Sequence, residues 1–401
     1  MGKRRRILAM MLFLLMVISP AASLAKEDIV IPEFNYTKKP LPDLPAFQFV
    51  EDLKAGWNLG NTFDASNANH VKNELDYESA WVGVKTDKKV FEALKNAGFG
   101  AVRIPVSWHN HVSGEDFTIS APWLARVKEV VDLALDMGLY VILNTHHDNE
   151  KGFYYPDEAH FETSSKYIKA IWSQVAPVFK EYDERLVLES MNEPRLSGTD
   201  IEWWLNPEDP RSAEAVQCIN KLNQVFVDTV RASGGYNVTR YLLVPGYAAS
   251  VQGCMHPEFQ MPRDADGVEH SLLLSVHAYT PYEFALQAPG EGEKRDRFEA
   301  DNPLHIMEIA SFMDQVHNKF TPLNVPVVIG EFGARDKNGN LQSRVDFTAA
   351  YVALARARGI TCFWWDNHGF QGGGELFGLL NRYDFEFRHP EIVEAMIRNA
   401  R

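Results

Sequence analysis

Short apolar runs recur along this chain, each followed by a polar or aromatic cluster and then by a stretch of helical periodicity. They are Gly56–Gly60, Ala101–Val106, Leu139–Asn144, Leu186–Met191, Tyr241–Val244, Leu272–Val276, Pro326–Ile329 and Ile360–Trp364. Most are β-branched and apolar almost throughout, the pattern of parallel strands buried on both faces. Helical patterns over Phe91–Ala97, Trp123–Met137 and Val345–Arg358 run up to Gly98, Gly138 and Gly359, which are C-terminal stop signals. Pro122 suits a first helical turn. Eight strands alternating with helices predict an α/β fold, a (β/α)8 TIM barrel forming a single domain over residues 46–401.

Two segments lie outside that pattern. Lys3, Arg4, Arg5 and Arg6 precede an apolar run from Ile7 to Ile18, then Pro20 and the small residues of Ser23-Leu24-Ala25. That order reads as a signal peptide over residues 1–25, too short in its apolar part to span a bilayer, and predicts a secreted protein, extracellular or periplasmic. Residues 26–45 are rich in Pro, Lys and Asp without periodicity and read as an extended arm.

A barrel should carry its functional groups at the C-terminal ends of its strands. There the chain places Arg103, Trp108-His109, Asn144-Thr145-His146-His147-Asp148, Met191-Asn192-Glu193-Pro194, His277-Ala278-Tyr279, Gly330-Glu331-Phe332-Gly333 and Trp364-Trp365-Asp366-Asn367. The strand beginnings carry no comparable set of acids, His and Trp, so these are more than polar residues marking loops.

Composition narrows the partner. With 45% hydrophobic, 12% aromatic and 23% charged residues the chain is a globular protein, and its net charge of −14 argues against nucleic acid. A neutral substrate fits best, with no membrane contact once the leader is removed and with the protein acting as a monomer. Three cysteines, Cys218, Cys254 and Cys362, are too few for a disulfide framework. Whether Cys218 and Cys254 pair stays open.

Paired carboxylates past strands four and seven suggest glycosidic cleavage, which needs an acid for the leaving oxygen and a second carboxylate at the anomeric carbon. Counting by twos, Glu193 shares its face with Met191 and Val187, and Glu331 shares its face with Ile329 and Val327. Glu189 lies one layer deeper and reads as structural, needing a cation such as Arg103. His146-His147-Asp148, with His109 and His111, invites a zinc reading. Adjacent histidines on a strand point to opposite faces, however, and no His-x-x-x-His occurs, so neither metal nor cofactor is expected.

Seven segments in order resemble glycoside hydrolase family 5, in clan A, and its endo-β-1,4-glucanase branch. They are Gly56–Thr62, Val102–Trp108, Leu143–His147, Glu189–Pro194, His277–Tyr279, Ile329–Gly333 and Phe363–Asn367. The resemblance implies a retaining cellulase-type endoglucanase acting on β-1,4-linked glucan: cellulose-type, mixed-linkage glucan or xyloglucan. It makes Glu193 the acid/base and Glu331 the nucleophile, and draws Asn58, Arg103, His146, Asn192, His277, Tyr279 and Trp365 into substrate binding. Asn192 is expected on the sugar 2-hydroxyl. Of the adjacent pairs, His146 and Trp365 are chosen to face the mouth, leaving Trp364 to pack outward. Arg103 and Tyr279 should hold the Glu331 carboxyl low, and the charge of Glu331 should raise Glu193. Trp203-Trp204, Phe153-Tyr154-Tyr155 and Tyr247 are candidate sugar platforms, or ordinary loop packing. A β-mannanase or xylanase on the same barrel is the alternative enzyme. A non-catalytic glycan-binding protein is the alternative class, disfavoured because both acids are present.

Overall fold

The computed structural model describes residues 29–291 and 295–401, so the expected signal peptide lies outside the described residues. Eight parallel strands close into a barrel: β1 (Ala55–Leu59), β2 (Ala101–Ile104), β3 (Tyr140–Asn144), β4 (Leu186–Glu189), β5 (Leu242–Pro245), β6 (Leu272–His277), β7 (Val327–Phe332) and β8 (Thr361–Asp366). Each matches one of the apolar runs within a few residues. Outside them lie α2 (Lys88–Ala97), α3 (Ala121–Asp136), α4 (Phe161–Val178), α5 (Pro210–Ala232), α6 (Val251–Met255), α8 (Pro303–Phe320), α9 (Leu341–Arg356) and α10 (Pro390–Asn399). A single turn, α7 (Tyr282–Ala285), follows β6 at the mouth. The helix stops hold: Gly98, Gly138 and Gly359 all take positive φ, a region where a Cβ is costly.

Strand alternation sorts the barrel interior into layers. The lowest is apolar: Ala101, Ile142, Val187, Leu243, Leu273, Val328 and Phe363 meet at the axis, sealed from below by Ala46, Phe49 and Val50 of α1 (Pro45–Asp52) and by Leu53 just after it. Gly56 belongs here because a Cβ would sit 2.2 Å from the Phe363 ring. One layer higher the interior turns polar, with Asn58, Arg103, Asn144, Glu189 and Ser275 all buried. That change from apolar plug to hydrogen-bonded floor supports the site above.

The arm before α1 has no regular structure but is not loose on the surface. Ile29, Ile31, Phe34 and Tyr36 pack on the outer core. Val30 and Gln342 exchange two hydrogen bonds at the start of α9, and Phe34 N donates to Asn399 at the end of α10. Lys39 N then donates to Ala357 O below the barrel. All three cysteines are buried free thiols, so Cys218 and Cys254 do not pair.

Candidate active site

Arg103 organises the polar floor. Its Nε donates to Glu189 Oε2 at 2.7 Å, Nη1 to Glu331 Oε1 at 2.8 Å and Asn58 Oδ1 at 3.1 Å, and Nη2 to Asn192 Oδ1 at 2.7 Å. Glu189 is completed by Ser275 Oγ at 2.7 Å and Asn144 Nδ2 at 3.1 Å, which makes it the buried counter-ion its position suggested. Burial alone would lower the Arg103 guanidinium, but the charges of Glu189 and Glu331 raise it instead. Two assignments change as a result. Arg103 has no exposure and commits its donors to protein, so it holds the nucleophile candidate and not the sugar. Asn58 likewise commits Nδ2 to the Gly330, Phe363 and Trp364 carbonyls, so it is a support beneath the site.

Glu331 reaches the mouth by a route that simple alternation misses. Val327 and Ile329 face the outer helices while Val328 faces the axis. Counting by twos from Ile329 would therefore turn Glu331 outward. The register shows one extra residue in β7: Val276 pairs with Ile329, but His277 pairs with Glu331, and across β8 Cys362 pairs with Ile329 while Trp364 pairs with Phe332. This β-bulge at Gly330-Glu331 re-aims Glu331 inward. Gly330 is required there, since a Cβ would lie 3.0 Å from His277 Nε2. Phe332 then turns out to stack on Tyr351.

Above the floor, a carboxylate oxygen of Glu193, one of Glu331 and a ring nitrogen of His277 lie within 4.8 Å of one another. His277 Nδ1 is 2.9 Å from Glu193 Oε1 and 3.7 Å from Glu331 Oε1. Tyr279 donates to Glu331 Oε2 at 3.0 Å; burial and the Glu331 charge push its phenol well up, so it stays a donor. Asn192 accepts from Arg103 through Oδ1, which leaves its Nδ2 for a ligand.

The charge balance is the reverse of the sequence expectation. Burial is the largest influence on both glutamates and raises both. At Glu193 it is outweighed by His277, then Arg195 and His147, which hold the carboxyl below its usual range. At Glu331 burial prevails over His277 and Arg103, aided by the Glu193 charge, and the carboxyl is raised. The two carboxylates lie close enough that the charge of Glu193 bears directly on Glu331. With His277 protonated, Glu193 is the carboxylate; with His277 neutral, the same 2.9 Å contact lets a Glu193 carboxylic acid donate to Nδ1.

His146 and Trp365 lie at the mouth with rings 3° from parallel and centroids 5.8 Å apart. Trp364 is fully buried, donates to Phe377 O and packs edge-on against Phe332, the outward role expected of the other indole. His147 is partly exposed, with Trp81 tilted over it at 5.9 Å. Trp81, 43% exposed, escaped sequence reading because it sits in a loop with no strand to locate it. Of the loop aromatics, Trp203 and Trp204 are exposed, while Tyr154, Tyr155 and Tyr247 are buried packing residues and Phe153 packs on the core.

Asp64, His146 and His147 also come within 4.8 Å. The strand ends at Asn144, so the two imidazoles are not forced to opposite faces, and their centroids are 4.5 Å apart. The surroundings still do not fit a metal. Asn144 Oδ1 accepts from Val106 N, which turns Nδ2 toward His146 Nδ1 at 3.2 Å. His146 Nδ1 therefore accepts and Nε2 carries the hydrogen, whereas a ligating imidazole donates from its second nitrogen. His109 pairs with Asp148 and His111 with Glu74, both as structural contacts.

The family model described as cellulase (glycosyl hydrolase family 5) matches residues 62–371. Endoglucanase B of Ruminococcus albus is 38% identical over 93% of this chain and 85% of its own length. A solved family 5 lichenase from Caldicellulosiruptor sp. F32 superimposes with TM-score 0.92 at 54% identity, covering 93% of this chain and all of that one. A variant of that lichenase was solved in complex with cellotetraose. A broad-specificity endoglucanase from Ruminococcus champanellensis with bound cellotriose gives TM-score 0.79 at 38% identity, over 90% of this chain and all of its own.

Proposed function

Because the chain belongs to glycoside hydrolase family 5, a family of retaining cellulase-type hydrolases, we propose that it cleaves internal β-1,4 bonds of soluble β-glucan with Glu193 as acid/base and Glu331 as nucleophile. The observation that carries this reading is the grouping of the two carboxylates with His277, one oxygen of each lying within 4.8 Å of the other, a closeness in keeping with the roughly 5–5.5 Å separation of a retaining pair. Glu331 attacks the anomeric carbon while Glu193 gives its proton to the leaving glycosidic oxygen. The resulting glycosyl ester removes the charge of Glu331. Glu193, now a carboxylate, takes a proton from water as that water displaces Glu331. Arg103 and Tyr279 receive the carboxylate each time it is regenerated, through donors already in place. Asn192 Nδ2 serves the sugar 2-hydroxyl, and His146 Nε2–H with Trp365 shapes the glycone side.

Mixed-linkage β-glucan is the preferred substrate in this reading, supported by the likeness to the lichenase, with the exposed loop tryptophans Trp81, Trp203 and Trp204 as candidate sugar platforms. Export as a monomer belongs to the same proposal, supported by the basic and apolar start of the chain. Among the described residues no helix is long and apolar enough to cross a membrane.

Azide rescue tests the two roles. With an activated aryl β-glycoside, azide should restore turnover to Glu193→Ala and give the β-azide, and should restore Glu331→Ala with the α-azide. The opposite products would exchange the roles. A rate on lichenan or barley glucan no greater than on carboxymethylcellulose, mannan or xylan would overturn the substrate preference.

A further inference from the structure

Glu193 is flanked on its outer side by a guanidinium that the chemistry above does not use. Arg195 places Nη1 3.8 Å from Glu193 Oε2 and donates from the same nitrogen to the Glu193 main-chain carbonyl at 2.9 Å. Its Nε donates to Glu202 Oε1 at 3.1 Å, and the Trp203 ring covers the guanidinium with 3.9 Å from Cζ to the centroid. The backbone is held as firmly: Arg195 N donates to Asn149 Oδ1 at 3.0 Å, and Asn149 Nδ2 donates back to Arg195 O at 2.8 Å. Glu202 Oε2 accepts from Gly198 N, which folds the segment from Leu196 to Trp204 back over the side chain.

We infer that Arg195 is a positioning residue for Glu193, holding its carboxylate form in place during attack of water on the glycosyl-enzyme, with Glu202 and Trp203 fixing the guanidinium for that task. The inference rests on the acid/base reading of Glu193. In that second step Glu331 is esterified and uncharged, so Glu193 is the lone anion of the reacting pair. The charged and titratable groups that face it are His277 from β6, Glu331 from β7, His147 from the loop after β3, Glu375 from the loop after β8, and Arg195. His147, though its ring is partly exposed, is lowered to about 4 by its apolar surroundings, so it adds positive charge at Glu193 only in acid. Glu375 is an acid. Arg103 stays tied to Glu189 below. His277 lies at hydrogen-bond distance from Glu193 and, as an imidazole, is not a fixed charge. Arg195 is the one permanent cation placed at the carboxylate among the described residues. Trp203 keeps water from one face of it, which strengthens its field at 3.8 Å.

The test compares pH profiles of Arg195→Met, Arg195→Lys and Trp203→Ala with the parent, using soluble β-glucan and an aryl cellobioside whose good leaving group makes hydrolysis of the glycosyl-enzyme limiting. Loss of the cation lets Glu193 hold its proton to higher pH. Arg195→Met should therefore move the alkaline limb of kcat/KM on glucan and the acid limb of kcat on the aryl substrate upward by about one pH unit. The steady rate that follows the burst of released phenol should also fall. Arg195→Lys should recover most of the shift, and Trp203→Ala should move both limbs the same way by less. Rates that fall at every pH with both limbs in place mark a structural role and overturn the inference. Azide rescue of Glu193→Ala separates the two readings: failed rescue removes both, whereas rescue with unmoved limbs removes only the role of Arg195.

Discussion

Arg103 donates to Glu331 at 2.8 Å from a side chain with no exposure to water. The same guanidinium serves Glu189, Asn58 and Asn192, and its planar fork is what allows four partners at once. Arg103→Lys keeps the charge and loses the fork. We expect kcat/KM on soluble β-glucan to fall by about two orders of magnitude or more, since a misplacement near 1 Å costs that much. The unfolding free energy should fall as well, because a single ammonium cannot serve Glu189, Glu331, Asn58 and Asn192 together. A lysine variant within tenfold of the parent rate would show that this contact does not position Glu331.

The bulge in β7 predicts an effect from a single methyl group. Gly330→Ala adds a Cβ 3.0 Å from His277 Nε2 and 3.3 Å from Ser275 Oγ. Overpacking of this kind costs about 1–3 kcal/mol, and the nearest atoms that must give way belong to His277, the partner of Glu193. Stability by urea titration and kcat should both drop. Gly373→Ala, where a Cβ meets nothing within 4 Å, is the control and should change neither. Equal behaviour of the two variants would remove the bulge from the catalytic argument.

Trp365 and Trp204 should fail differently. Trp365 is 8% exposed beside His146, at the proposed subsite of the sugar to be cleaved, whereas Trp204 is 67% exposed and roughly perpendicular to Tyr282. Trp365→Ala should lower kcat on cello-oligosaccharides of every length. Trp204→Ala should mainly raise KM, and only on longer chains, because remote binding is shared by ground and transition states. A Trp204→Ala variant that loses as much kcat on short substrates as Trp365→Ala would misplace the platform.

Asp64 predicts a pH dependence of stability. Burial raises its carboxyl to about 7, against the hydrogen bonds it accepts from Asn61 and Thr62. The folded state therefore holds this proton more tightly than the unfolded chain, whose aspartate titrates near 4. Its contribution is complete below about 4 and declines as pH rises toward about 7. Asp64→Asn cannot follow that decline. It should be less stable than the parent throughout, because an amide nitrogen cannot accept one of the backbone bonds, but the gap should be narrower at pH 8 than at pH 5. A gap that widens with pH would contradict the shift.

The sequence exposes whatever depends on periodicity and strand ends. Eight apolar runs locate eight strands because parallel strands buried on both faces leave little room for polar residues. Glu193, Glu331 and their partners His277 and Tyr279 are legible because a barrel gathers its strand ends at one mouth. The fate of Asn58 and Arg103 is not legible, since residue type does not say whether a hydrogen-bonding group is already spent below the site. The bulge is equally hidden: Gly330 looks like any strand glycine, and only the register of both neighbouring strands reveals the added residue. The proton balance is hidden for a related reason. Glu193, Glu331, Arg103 and Tyr279 taken alone point the other way, and the sequence does not show that His277 comes to 2.9 Å from Glu193. Arg195 and Trp81 lie in loops, where no period marks them.

The arm runs from the head of α9 past the tail of α10 to the underside of the barrel. A closed barrel has a seam where β8 meets β1, and this arm clasps α9 and α10, the outer helices that precede and follow β8 in the chain. The earliest of the described residues are thereby fastened to the last helix, and every bond of the clasp lies far from the carboxylates. Loosening it through Asn399→Ala should therefore shorten life at elevated temperature and leave turnover unchanged.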